Sequence, residues 1–257
     1  MDIQPIAHIR SSYPTKFGVP RQPGLAPTLL ATVAFERAFS NPDAVRGLDG
    51  FDYVWLIWAF SHNLDADRRW SPTVRPPRLG GTRRLGVFAT RSSFRPNDLA
   101  LSCVRLVRVD ASDPARVSLV VSGADLVDGT PIYDVKPYLP YADAHAEARG
   151  GWTDETAWPK LLEVEMPADL LDRVPARLRD GLMDVLRQDP RPAYTRTGRE
   201  GRAFWVPLEN VVTWFVVRDG RLRVIDVRTL SDDEYRELRR TGTVRAFDAQ
   251  TEGGCER

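Results

Sequence analysis

The sequence predicts a mainly β protein: an antiparallel β-barrel over residues 1–145, then a smaller α+β domain over 158–230. Three observations lead there. Short segments rich in β-branched and aromatic residues follow one another up to about residue 140, with turn residues between them. They do not alternate with long helical patterns, which argues against a doubly wound parallel sheet and for an antiparallel barrel. A helical pattern becomes prominent only after ADAHAEARGGWTDETAW, a small, polar stretch that reads as a linker or exposed loop.

In chain order, IQPIAHI, LLATVAFE, FDYVWLIWAF, RLGVFAT, LSCVRLVRV, RVSLVVS and PIYDVKPY read as strands. NPDAVRGL reads as a helix start, with Asn41 as cap and Pro42 in the first turn. After the linker, LLEVEMP is strand-like and ADLLDRVPARLRDGLMDVLRQ is helical, split or reopened at Pro175. RAFWVPL, VVTWFVV and RLRVIDV are strands, the last two joined by a turn at Asp219-Gly220. Residues 231–257 read as a mobile tail.

Composition narrows the function. The 257 residues are 42% hydrophobic and 28% charged, as in a soluble globular chain. The longest apolar run is strand-sized, and the N-terminus lacks a secretory pattern. Cys103 and Cys255 lie far apart, without Cys or His at metal-ligand spacing, so a cytoplasmic protein with no metal site is expected. G-x-S-x-G, H-E-x-x-H, the P-loop and G-x-G-x-x-G are all missing.

Three stretches carry positive signals. From Arg68 to Asn97 there are eight arginines and no Asp or Glu, in a chain of net charge +1. Planar guanidinium groups on Pro- and Gly-shaped loops suit phosphate or carboxylate; a solvated basic surface is the plain alternative. Trp70, Phe88 and Phe94 offer faces for base stacking or side chains for a core, and Phe88, on its strand, reads as core. In DLVDGTPIYDVKPYLP, Asp128-Gly129 makes a turn, and Asp134 and Lys136 share a strand face, as a surface pair or as a clamp for a zwitterion. In QDPRPAY two prolines stiffen a helix-stop loop that projects Asp189, Arg191 and Tyr194. Of 36 basic residues only Lys16, Lys136 and Lys160 are lysine, so each departs from the chain's habit.

Taken in order, IAHIRSSYPTKFGVPRQPGL, DAVRGLDGFDYVWLIWAF, SPTVRPPRLGG, GVFATRSSFRPN, DLVDGTPIYDVKPYLPYAD and QDPRPAY resemble the TrmO family of tRNA methyltransferases. The resemblance implies an S-adenosylmethionine-dependent β-barrel enzyme, working as a homodimer, that methylates the exocyclic nitrogen of threonylcarbamoyladenosine beside the anticodon of threonine tRNA. It implies cofactor contacts from Arg91, Ser92, Arg95 and Asn97, and from Asp128, Asp134, Lys136 and Tyr138. Asp189, Arg191 and Tyr194 match the motif that closes the reaction site. Asp189 or Tyr194 is then expected to assist proton loss from the acceptor nitrogen or to orient it, and Arg191 or a nearby arginine to hold the threonyl carboxylate. The outer arginines, Arg68, Arg69, Arg75, Arg78, Arg83 and Arg84, are expected on tRNA phosphates. One departure stands out: where relatives continue the first motif with proline, isoleucine and glycine, this chain has Asp98, Leu99 and Ala100. The rival readings are a methyltransferase of this fold acting on another RNA or a small acceptor, and a non-catalytic RNA-binding barrel.

Overall fold

The computed structural model describes residues 2–61, 70–76, 83–155, 160–192, 195 and 201–244. Along the first half run β1 (Ala7–Arg10), β2 (Leu30–Phe35), β3 (Tyr53–Ala59), β4 (Thr73–Val74), β5 (Leu85–Gly86), β6 (Leu99–Asp110), β7 (Ser118–Ser122) and β8 (Pro131–Pro137). Six of these close a barrel in the order β1-β2-β7-β6-β3-β8, every neighbouring pair antiparallel. The period-two side-chain alternation of a strand accounts for the closure. In β3, Val54, Leu56 and Trp58 are buried and meet Ile9, Val33, Val104 and Leu119 inside, while Tyr53, Trp55 and Ile57 point out. Closing the sheet removes the unpaired edges that an open one would expose.

RLGVFAT departs from its expected strand. Only Leu85–Gly86 pairs, with β4, and Val87–Ala89 then turns as a 3-10 helix that buries Val87. Phe88, expected in the core, is 72% exposed because that turn directs Val87 inward in its place. NPDAVRGL likewise yields a short 3-10 turn, Pro42–Val45, with the Asn41 side chain accepting from the Asp43 N–H at 2.9 Å.

The second half contains α1 (Pro140–Asp143), β9 (Glu163–Glu165), α2 (Ala168–Asp172), α3 (Ala176–Arg187), β10 (Phe204–Leu208), β11 (Val211–Arg218), β12 (Arg221–Thr229) and α4 (Asp232–Thr241). The strands form one sheet, β10-β11-β12-β9, with β9 parallel to β12. Pro175 separates α2 from α3, as its missing N–H and fixed φ favour a helix start. Leu178, Leu182, Val185 and Leu186 lie on one stripe of α3 and pack with Phe215, Leu222 and Val224 of the sheet. Tyr13, Ala26 and Leu29 belong to the same core. The segment between β1 and β2 therefore leaves the barrel and packs into the second unit. That position is what lets it wall the site described below.

The expected tail from residue 231 opens instead with a helix. Ser231 and Glu234 form a reciprocal capping box, and Gly242 ends α4 in a left-handed conformation. Leu238 is fully buried with Val212, Trp214 and Leu230, so α4 covers the sheet face opposite α3. Among the described residues, no helix is long and apolar enough to cross a membrane.

Candidate active site

A cleft of about 670 Å³ opens at one end of the barrel. One wall is β3 and β6, which pair Trp58 with Ala100 and Ile57 with Leu101. Facing them are Lys16, Val19, Arg21 and Gln22 from the segment shared between the two units. Arg91 and Arg95 come from the loop before β6, and Asp125, Val127 and Thr130 from the run after β7. The two sides are tied together where the Gly24 N–H donates to the Gly123 carbonyl at 2.8 Å. Gly123 has a φ of +71°, and a Cβ there would lie 2.9 Å from the Gly24 Cα. Glycine alone meets both demands, two residues before Asp125.

The polar groups form a directed chain. Trp58 Nε1 donates to Ser102 Oγ at 2.9 Å, and Ser102 Oγ donates to Asp125 Oδ1 at 2.6 Å. Burial pushes the Asp125 carboxyl up to about 6, opposed by the Ser102 bond, by its own backbone and by the charge of Arg91. Arg91 donates to Gln22 Oε1 at 2.7 Å. Arg95 is held by the carbonyls of Val87 (3.1 Å) and Thr90 (2.7 Å), with its guanidinium 5.6 Å from the centre of the Phe88 ring. Lys16, Arg21, Arg91 and Arg95 are the cations of the lining, and Asp125 is its one acid among the described residues.

Of the residues expected at the cofactor, Arg91 and Arg95 line this cleft. Ser92 instead shapes the loop, accepting from the Phe94 N–H at 3.2 Å. Asn97 is exposed, and Asp98, at the departure from the family motif, has a φ of 50° and a carbonyl bonded to the Phe60 N–H at 3.0 Å. Asp128 accepts from the Ser11 N–H at 3.1 Å and from Arg239 at 2.7 Å, tying β1 and α4 to its turn. Asp134 and Lys136 form an exposed pair at 3.0 Å, with Asp134 in register with Ile57. Tyr138 packs against Tyr53 and Trp55.

In the late motif, Arg191 Nε and one terminal nitrogen donate to the two oxygens of Asp189, at 2.8 and 3.0 Å, and both residues are buried. The two residues expected to act on the acceptor thus form an ion pair with each other, and neither is in the described lining of the cleft. Tyr194, and the arginines Arg68, Arg69 and Arg78, lie outside the described residues. Arg75, Arg83 and Arg84 are exposed; Arg83 pairs with Glu155 at 2.6 Å and Arg84 bonds Thr73 Oγ1 at 3.0 Å.

Asp125, Ser102, Trp58 and Lys16 had not been singled out as site residues. Asp125 opens the run DLVDG, but the turn chemistry of Asp128-Gly129 drew attention three residues on. Lys16 carried the one available signal, as a lysine in an arginine-rich chain.

Residues 8–144 match the tRNA-methyltransferase O N-terminal domain, and residues 157–230 match the TrmO C-terminal domain. The tRNA (adenine(37)-N6)-methyltransferase of Escherichia coli K12 is 41% identical over 84% of this chain and 93% of its own length. RcsF of Pseudomonas aeruginosa PAO1, whose name places it with S-adenosylmethionine-dependent methyltransferases, is 42% identical over 88% of this chain and 96% of its own. The crystal structure of TrmO from Pseudomonas aeruginosa superposes with a TM-score of 0.71 at 35% identity, over 89% of this chain and 98% of that one.

Proposed function

The chain belongs to the TrmO family, and from that premise we propose that it methylates the exocyclic nitrogen of threonylcarbamoyladenosine beside the anticodon of threonine tRNA. S-adenosylmethionine supplies the methyl group, as an electrophilic carbon on a sulfonium. The carrying observation is the cleft itself, which brings the arginines of the RSSFRPN motif and the DLVDG run into one space within the size range of cofactor pockets.

The lining residues fit such a donor. Trp58, Phe60, Ile57 and Leu101 offer apolar surface to a nucleoside, and the guanidinium groups of Arg91 and Arg95 offer planar donors to a carboxylate. The chain's own work is mainly alignment, because a sulfonium methyl needs little activation while its acceptor must lie in line with it. Arg95, pinned by two carbonyls, holds a fixed direction for this purpose. Gln22 sets Arg91 from the opposite wall. Asp134, Lys136 and Tyr138 follow along and beyond β8, outside the described lining, with Asp134 nearest the cleft opposite Ile57.

The acceptor RNA is recognised outside the cleft. Arg75, Arg83 and Arg84 contact phosphates, and the exposed Phe88 and Phe94 stack on neighbouring bases. Two copies of the chain assemble in the cytoplasm as a homodimer. The outer barrel face, with Tyr53 44% and Val107 49% exposed, supplies apolar area for that contact. The reading is tested by mass spectrometry of nucleosides from threonine tRNA incubated with enzyme and S-adenosylmethionine. Threonylcarbamoyladenosine should gain the mass of one methyl group; an unchanged nucleoside sinks the reading.

A further inference from the structure

We infer that Asp125 accepts the proton of the acceptor nitrogen as the methyl group arrives. This rests on the function proposed above and adds the group that completes its chemistry. The acceptor nitrogen is conjugated to both the purine and the carbonyl, so its electron pair becomes available only as its proton leaves. In the step, the N–H bond breaks and its proton passes to the carboxylate. The freed pair forms the new N–C bond, and the C–S bond breaks with its pair remaining on sulfur as a neutral thioether. One positive and one negative charge disappear together, a change that a partly dry cleft favours.

The geometry singles out Asp125. It is the one acid in the described lining. The chain from Trp58 through Ser102 fixes one carboxylate oxygen, and no other side chain donates to Asp125 among the described residues. Asp189 is outside the described lining and is paired with Arg191. The charged and titratable groups facing Asp125 are Lys16 and Arg21 from the shared segment, Arg91 and Arg95 from the loop before β6, and the buried Tyr13 phenol, which feels its charge. Burial opposes the ionised carboxylate, while the Ser102 bond and the Arg91 charge favour it, leaving proton affinity suited to work near neutral pH.

Single-turnover methyl transfer is measured against pH for the parent and Asp125→Asn, with S-adenosylmethionine binding followed by thermal shift and tRNA binding by filter retention. The parent rate should rise with pH and level off above about 6. Asp125→Asn should bind both partners as before, transfer at least about 100-fold more slowly and lose the acid limb. Loss of cofactor binding, or transfer within threefold of the parent, overturns the assignment. Should Asp125→Asn not fold, Ser102→Ala decides: removing the donated bond should move the acid limb to higher pH, and a limb that stays in place overturns the assignment. A parent enzyme inactive on tRNA carrying threonylcarbamoyladenosine overturns the reading of function instead.

Discussion

Asp125 carries a stability signature separate from its activity. Burial raises its folded-state pKa to about 6, so between the ordinary carboxylate range and that value the folded chain holds a proton that the unfolded chain has released. Stability therefore falls as pH climbs through this window and stays reduced above it. Asp125→Asn is neutral throughout and should be the more stable protein at pH 8, by about 1–3 kcal/mol, with the gap closing near pH 4. Urea melts at the two pH values measure it, and a gap of equal size at both would contradict the burial of this carboxyl. The residue was within reach in the sequence but could not be ranked there. Asp125 and Asp128 stand three apart in one run, and only packing shows that one faces the cleft while the other braces α4. The Asp189–Arg191 pair teaches the same lesson, since two residues that read as separate reagents satisfy each other.

Among the elements, the strands were the most legible, because short runs of β-branched and aromatic residues between turn residues are a local pattern. FDYVWLIWAF reads as a strand on that content, but it is apolar throughout after Asp52, so only the structure shows that Val54, Leu56 and Trp58 face inward. RLGVFAT is ambiguous, because three β-branched or aromatic residues in a short run fit either a strand or a 3-10 turn packed by one side chain. The helix α4 had its signal in Ser231 and Glu234, three apart, but its buried side is narrow: Leu238 is its one fully covered residue. The contact of α3 with the shared segment is set by a close approach. A Cβ on Gly181 would lie 2.2 Å from Leu29 Cδ2, in a side chain only 5% exposed. Gly181→Ala should destabilise the protein by about 1–3 kcal/mol, because the extra methyl displaces Leu29 from a filled core. Chemical denaturation checks this, and an unchanged midpoint would show that the helix moves freely on that segment.

For the molecule as a whole, charge is the organising quantity. A net charge of +1 conceals a segment with eight arginines and no acid, and of its described members Arg91 and Arg95 line the cleft while Arg75, Arg83 and Arg84 are exposed. Exposed pairs such as Arg83–Glu155 hold weakly and give way readily to a polyanion. Replacing Arg83 and Arg84 together by alanine should weaken tRNA binding and reduce the slope of log affinity against log salt by about 2. S-adenosylmethionine binding should persist in that variant. Filter binding across a salt series gives the slope, and a variant that lost the cofactor with tRNA affinity intact would reverse the assignment of inner and outer arginines.

From the sequence alone came most of the strands, the split at Pro175, the final hairpin and the family, all of which depend on local pattern or on ordered motifs. Which carboxylate sits in the cleft, which are held in ion pairs, and that residues 13–29 pack into the second unit were decided only by the tertiary structure. Desolvation and ion pairing are properties of what surrounds a group, and those surroundings come from parts of the chain a hundred or more residues away, such as the Ser11 N–H and Arg239 on Asp128.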